Sequence, residues 1–390
     1  MSTQHIVLFD ANTRDNLLPL VATRAVADIR IGILTLKEKW EKYFNCTIEV
    51  LTQPYLQNKY PFSSQENAIY VNAQVLPNKK IVDAILQLDE NELLQSQQQI
   101  LAFKSTSAIQ KIEEFAEQNF QKTEFNEATF INYCWDIFTY NGQEIRNDIQ
   151  LLGLKPNPEK LSKTNTLLGN EIYVEEGAQC ECSVLNSNNG PIYLGKDSEV
   201  MEGCTIRAPF ALGEHATLKM QTKIYGDTTV GPHCKVGGEV SNSVLFSYSN
   251  KGHDGFLGNA VIGEWCNLGA DTNNSNLKNN YSSVKAYHYP NKNLIDTGLQ
   301  FCGLIMGDHA KAAINTQFNT GTVVGVFANV FSAGFPPKFI PDFAWNNDIF
   351  DLEKAYEVAQ RVMERRNIQL SANDKEILKY IFEQAKQDKK

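Results

Sequence analysis

The chain has 390 residues, 42% of them hydrophobic and 21% charged, and its net charge is −9 at neutral pH. That length holds two or three domains with real cores. The acidic balance argues against nucleic acid and anionic membrane as main partners, and leaves anionic small substrates open. No apolar run approaches the roughly 20 residues that span a bilayer. The opening MSTQHIVLFDANTRDN lacks the basic and long apolar regions of a signal peptide, so the expected location is the cytoplasm. The eight cysteines are scattered, with no CxxC pair or Cys/His cluster at zinc spacing.

Residues 1–160 read as an α/β domain. Ile6–Phe9 is a strand by length, followed by a polar turn over Asp10–Asn16. Ile29–Phe44 reads as strand-to-helix, with Lys37, Glu38, Lys39, Glu41 and Lys42 on the wet side. Ile48–Leu51 and Ala68–Leu76 are strands, the second closed by Pro77, and Lys79–Leu94 is a helix on Ile81, Ile85 and Leu88. A further helix is expected over 105–120. Strands alternating with helices imply a small sandwich with a largely parallel sheet. Pro156, Pro158 and the polar run to Asn165 mark a boundary.

From Leu194 the pattern changes. Steps of six give Leu194, Val200, Ile206, Leu212, Leu218, Ile224, Val230 and Val236 without a slip. Four residues further on in each hexad stand Ser198, Cys204, Phe210, Ala216, Thr222, Thr228, Cys234 and Val240, mostly small. A period of six fits neither a helix nor an ordinary strand. It fits a triangular parallel β-helix, in which each hexad supplies a short strand and a corner. Cys180, Cys204, Cys234 and Cys266 fall on hexad positions and are expected as core residues.

The repeat breaks after Val240, returns at Phe256, Ile262 and Leu268, gives way to a polar insertion from Asn273 to Cys302, and resumes from Met306 to Val330. An insertion of that length is expected to be functional or mobile, and in sequence it lies close to His253. Pro336, Pro337 and Pro341 are expected to end the β-helix. The tail reads as two helices, Phe350–Arg366 beginning near Asp348 or Asp351, and a second entered through Ser371 or Asn373, together capping the open end. The domains are thus 1–160, 165–335 and 336–390.

The motif Lys251-Gly-His253-Asp-Gly-Phe256-Leu-Gly258, followed by Ile262-Gly-Glu-Trp-Cys-Asn267-Leu-Gly-Ala-Asp-Thr272 and Asn276, resembles the C-terminal domain of the bacterial bifunctional UDP-N-acetylglucosamine pyrophosphorylase/glucosamine-1-phosphate N-acetyltransferase family. Trp135-Asp-Ile-Phe138, Asn141-Gly142 and Ile305-Met-Gly-Asp-His-Ala-Lys311 are similar to segments of a short-headed variant. The resemblance implies an α/β nucleotidyltransferase-like head, a left-handed β-helix and a homotrimer. It implies acetyl transfer from acetyl-CoA to glucosamine-1-phosphate, then uridylyl transfer from UTP. His253 becomes the base that takes a proton from the sugar amine, a task suited to an imidazole at cytoplasmic pH. Asn267 and Asn276 would orient the base or hold the sugar, and Lys251 would meet its phosphate. Phe256 stands where the family usually has tyrosine. Lys311 and Lys338 are candidates for the phosphates of acetyl-CoA. His215, His233 and His309 are expected at the surface, and nothing singles out His288.

The same resemblance is degenerate in the head. Asn12-Thr13-Arg14, Leu17-Leu-Pro-Leu20 and Thr23-Arg24 match a glycine-rich nucleotide loop without its glycines. Arg14 and Arg24 are the nucleotide-binding candidates. Val26 stands at the usual lysine position, and Asn72-Ala73 replaces the metal-binding Gly-Asp. Uridylyl transfer would call on Mg2+, for which Asp10 is the remaining acidic candidate. Two other readings stay open: a sugar-1-phosphate nucleotidyltransferase of other specificity whose β-helix only trimerises, and a non-catalytic trimeric scaffold.

Overall fold

A computed structural model describes residues 5–111, 120–346 and 348–388. In the head, β1 (Ile6–Phe9), β2 (Glu49–Leu51), β3 (Ala68–Asn72), β4 (Glu92–Ser96), β5 (Gln99–Ser105) and β6 (Gln121–Glu124) form one sheet in the order β2-β1-β3-β5-β4-β6. The sheet is mixed. β1 runs parallel to β2 and β3, and β4 to β6, whereas β5 is antiparallel to both β3 and β4. The helix expected over Lys79–Leu94 ends at Leu86, and the rest of that stretch enters the β4–β5 hairpin. Apolar spacing alone does not separate a helix from a strand over so short a run. Half of the helix expected over 105–120 falls on 112–119, outside the described residues, and Ser105 ends β5.

Helix α1 (Leu36–Phe44) starts at Thr35, whose hydroxyl caps the Glu38 amide while the Glu38 carboxylate caps Thr35. Lys39 is not on its wet side. It is 1% exposed and ion-paired to Glu144, at 2.8 Å, and to Asp148. Both acids belong to the long helix Cys134–Leu151, which joins head to β-helix. Asn141 on that helix accepts from Gly32 N at 2.8 Å and from the Thr229 hydroxyl at 3.1 Å, and donates to Asp227 O at 2.9 Å. A Cβ on Gly142 would sit 1.8 Å from the Asp227 carboxylate, so glycine is what allows this approach.

Three parallel sheets then wind into a β-solenoid of about 10 turns. Register is strict: Leu194 pairs with Leu212, and Leu212 with Val230. The aliphatic series Leu194–Val236 is at most 2% exposed throughout, and Cys180, Cys204, Cys234 and Cys266 are buried as the hexads imply. The β-helix does not stop at the prolines. Phe339–Ile340 pairs with Val323–Val324, and Trp345 with Asn329.

The insertion leaves the β-helix and turns to the head. Its hairpin, Lys285–His288 paired with Asn293–Asp296, sets His288 Nε2 2.9 Å from Asn16 Oδ1. Val284, Ala286 and Cys302 join the core around the head.

The tail is two helices, Leu352–Glu364 capped by Asp351 and Ala372–Asp388 entered through Ser371. The second lies between the head and the last coil of the β-helix, where Phe382 meets Phe343 edge-on at 5.3 Å. Tyr380 stacks on Tyr55 at 4.1 Å, and Asp374 pairs with Lys59 at 3.1 Å.

Candidate active site

Where the hexads fail, the β-helix builds a cleft. Leu245 pairs with Val230 after a turn three residues shorter than the 18-residue coils before it, and Asn250 pairs with Lys235. This places Lys251 opposite Val236, in the column that holds Val200 and Leu218. Lys251 is 1% exposed, and its ammonium donates to the carbonyls of Gly237, His253 and Asp254 at 3.2, 2.5 and 2.9 Å. It therefore does not face a sugar phosphate. It ties down the turn 252–255 from beneath and leaves His253 exposed on the outer corner. Gly255 completes the turn at φ +112°, where a Cβ would lie 2.2 Å from Thr272 O.

Burial is the main influence on Lys251 and pushes its ammonium down to about 8, against the pull of Asp254 and Asp271. The unfolded chain, with a pKa near the ordinary 10.5, then holds a proton that the folded chain has released, so stability should rise from about pH 8 to 10.5. Lys251→Met fills the column with an unbranched apolar chain. Its melting temperature should show less of that rise, and equal pH slopes in variant and wild type would contradict the assignment.

His253 and Asn267, on the next coil, line one cleft of about 560 Å3. Its other walls include Lys219, Lys235, Tyr248, Trp265 and Ile314 from the β-helix, and Val362, Arg365 and Arg366 from the tail. Along one corner His215, His233, Tyr248 and Trp265 stack at successive spacings of 4.9, 4.8 and 4.1 Å, all with left-handed backbone. The stack continues through His309 and Phe327 to Phe343. His309 is thus buried at 6% exposure, and His233 is half-buried, contrary to the surface expectation.

Phe256 and Asn276 sit beside each other on the adjoining face and do not line the cleft. Asn276 donates to Asn259 Oδ1 at 2.8 Å, and the Phe256 amide donates to Asn273 Oδ1 at 2.7 Å. Lys311 is half-buried, donates to His309 O at 2.8 Å and lies over the Phe327 ring, so its ammonium is held within the β-helix. Lys338 donates to Lys285 O at 3.2 Å, bracing the hairpin.

The head candidates turn inward. Arg14 spans Asp10 at 3.2 Å, Asp15 at 2.8 Å, the Tyr55 hydroxyl at 3.1 Å and Val21 O. Arg24 pairs with Asp308 and, at 3.4 Å, with Glu264, both on the β-helix. Asp10 is 0% exposed and accepts from Arg14, the Thr52 hydroxyl and the Val26 amide. Burial outweighs these partners and raises its pKa. A carboxylate so enclosed does not suit a metal, and among the described residues no group of three or more His, Cys, Asp or Glu is placed to hold one.

Residues 6–155 match the family described as sugar nucleotidyl transferase. The bifunctional protein GlmU of Synechococcus elongatus is 23% identical over 222 residues, covering 54% of this chain and 44% of that protein. GlmU of Paracoccus denitrificans is 37% identical over 144 residues, 37% of this chain and 27% of its own length. The bifunctional sugar-1-phosphate nucleotidylyltransferase/acetyltransferase of Sulfurisphaera tokodaii is 27% identical over 148 residues, 36% of this chain and 35% of its own. The chain therefore spans less than half the length of these relatives. The matches point to a transferase. No helix among the described residues is long and apolar enough to cross a membrane.

Proposed function

We propose that the β-helix transfers an acetyl group from acetyl-CoA to the amine of an amino-sugar phosphate, glucosamine-1-phosphate being the first candidate, with His253 as general base. The carrying observation is the cleft in which His253 stands exposed beside Asn267, its turn held by buried Lys251. The amine nitrogen attacks the thioester carbonyl, the C–N bond forms and the C–S bond breaks. His253 takes the proton the amine loses, and the CoA sulfur leaves as thiolate and is then protonated. Association of three copies through the flat faces of the β-helix belongs to the same reading. Free thiol should appear from acetyl-CoA only when the amino sugar phosphate is present, and a complete lack of release with every amino sugar phosphate tried would overturn it.

The match of residues 6–155 raises a second reading, nucleotidyl transfer by the head, with UTP as the first nucleotide to try. It would release pyrophosphate from UTP and N-acetylglucosamine-1-phosphate. Because Arg14 and Arg24 are committed to internal partners, the expected release is negligible, and metal-dependent release at ordinary enzyme rates would reinstate the head as a catalyst.

A further inference from the structure

The cleft has an electrostatic signature that sequence order conceals. Lys219 and Lys235 lie on neighbouring turns of the β-helix, whereas Arg365 and Arg366 come from the tail, where Arg366 donates to His233 O at 3.2 Å. Four cations and no carboxylate line the same space. Among the described residues none of the four makes an ion pair, in contrast to Arg14, Arg24 and Lys39. Lys235 carries the mark of this crowding. Burial first, then Arg366, Lys219 and Arg365, lower its pKa, and Glu199 opposes them only as the smallest influence. A chain of net charge −9 that gathers unpaired like charges at one cleft needs an anion there to relieve the repulsion.

We propose that Lys219, Lys235, Arg365 and Arg366 form a phosphate seat, half of it supplied by the C-terminal arm, that holds a phosphate-bearing substrate beside His253. This rests on the acetyl-transfer reading only for which substrate is held. The phosphate belongs either to the amino sugar or to CoA, and both present the same tetrahedral oxygens to the two guanidinium groups.

Calorimetric titration of the full chain with glucosamine-1-phosphate, glucosamine, acetyl-CoA and phosphate-free S-acetyl-pantetheine separates the cases. At least one phosphate-bearing probe should bind roughly tenfold or more tightly than its phosphate-free counterpart, with affinity falling as salt rises. The pairs Lys219→Gln/Lys235→Gln and Arg365→Gln/Arg366→Gln should each erase most of that difference, while Lys196→Gln, an exposed lysine elsewhere, should not. Selective loss of glucosamine-1-phosphate places the sugar phosphate in the seat, and selective loss of acetyl-CoA places CoA there. Equal binding of charged and uncharged probes, or undiminished phosphate binding in both variants, overturns the proposal. Phosphate binding that depends on the four residues without any acetyl transfer would keep the seat and sink the catalytic reading. Acetyl transfer to the sugar phosphate that is indifferent to both variants would do the reverse.

Discussion

His253→Ala is expected to lower the rate of acetyl transfer by about 10²–10⁴-fold, the range for removing a positioned acid–base group. Among the residues lining the cleft His253 is the only imidazole, and the turn that carries it is fixed by the three carbonyls gripped by Lys251. Its side chain is exposed, so truncation removes no core packing and the fold should survive. The loss should fall on kcat more than on KM. A variant rate within twofold of wild type would remove His253 from the mechanism.

The largest effect on stability is expected from Asp308→Ala, about 3–5 kcal/mol, because it strands a buried charge. Arg24 is 5% exposed. Burial alone would weaken its ionisation, yet Asp308 and Glu264 override this and hold the guanidinium charged. Asp308 also accepts from the Thr23 hydroxyl at 2.6 Å and from the Glu264 amide at 2.8 Å, so one carboxylate joins the head to two coils. Urea unfolding should show the loss. Arg24→Met combined with Asp308→Ala should recover part of it, since the buried guanidinium charge is then removed together with its main partner. A double variant less stable than Asp308→Ala alone would mean that Arg24 contributes by packing, not by its charge.

The β-helix was legible because a six-residue period has one structural meaning and its interior tolerates few side chains. Lys251 was legible as part of a motif but not as a core residue. It stands 15 residues after Val236, its partner in register, so a six-step count misses that a lysine occupies an aliphatic column. The cation cluster left little local trace, because Lys219 and Lys235 look like ordinary outward positions and Arg366 reaches His233 across 133 residues. The adjacent Arg365-Arg366 pair at a helix end was the one available signal. In the head, helix periodicity placed Lys39 in water because its partners, Glu144 and Asp148, lie on a helix about a hundred residues away. Arg14 and Arg24 resembled a nucleotide loop, but without glycines that loop folds inward onto acids, which sequence alone does not reveal.

The pairing of Arg24 with Asp308 also sets an order of events at the ribosome. The two residues are 284 apart, and at roughly 5–20 residues per second the arginine waits between about 15 and 60 s for its partner. Each coil of a β-helix contacts only its neighbours, so such a domain can grow from a finished edge as the chain emerges. The head does not. Its sheet is translated first, but the coil that neutralises Arg24, the hairpin that covers Asn16 and the helix that stacks on Tyr55 all arrive later. The head is translated before the β-helix and completed after it.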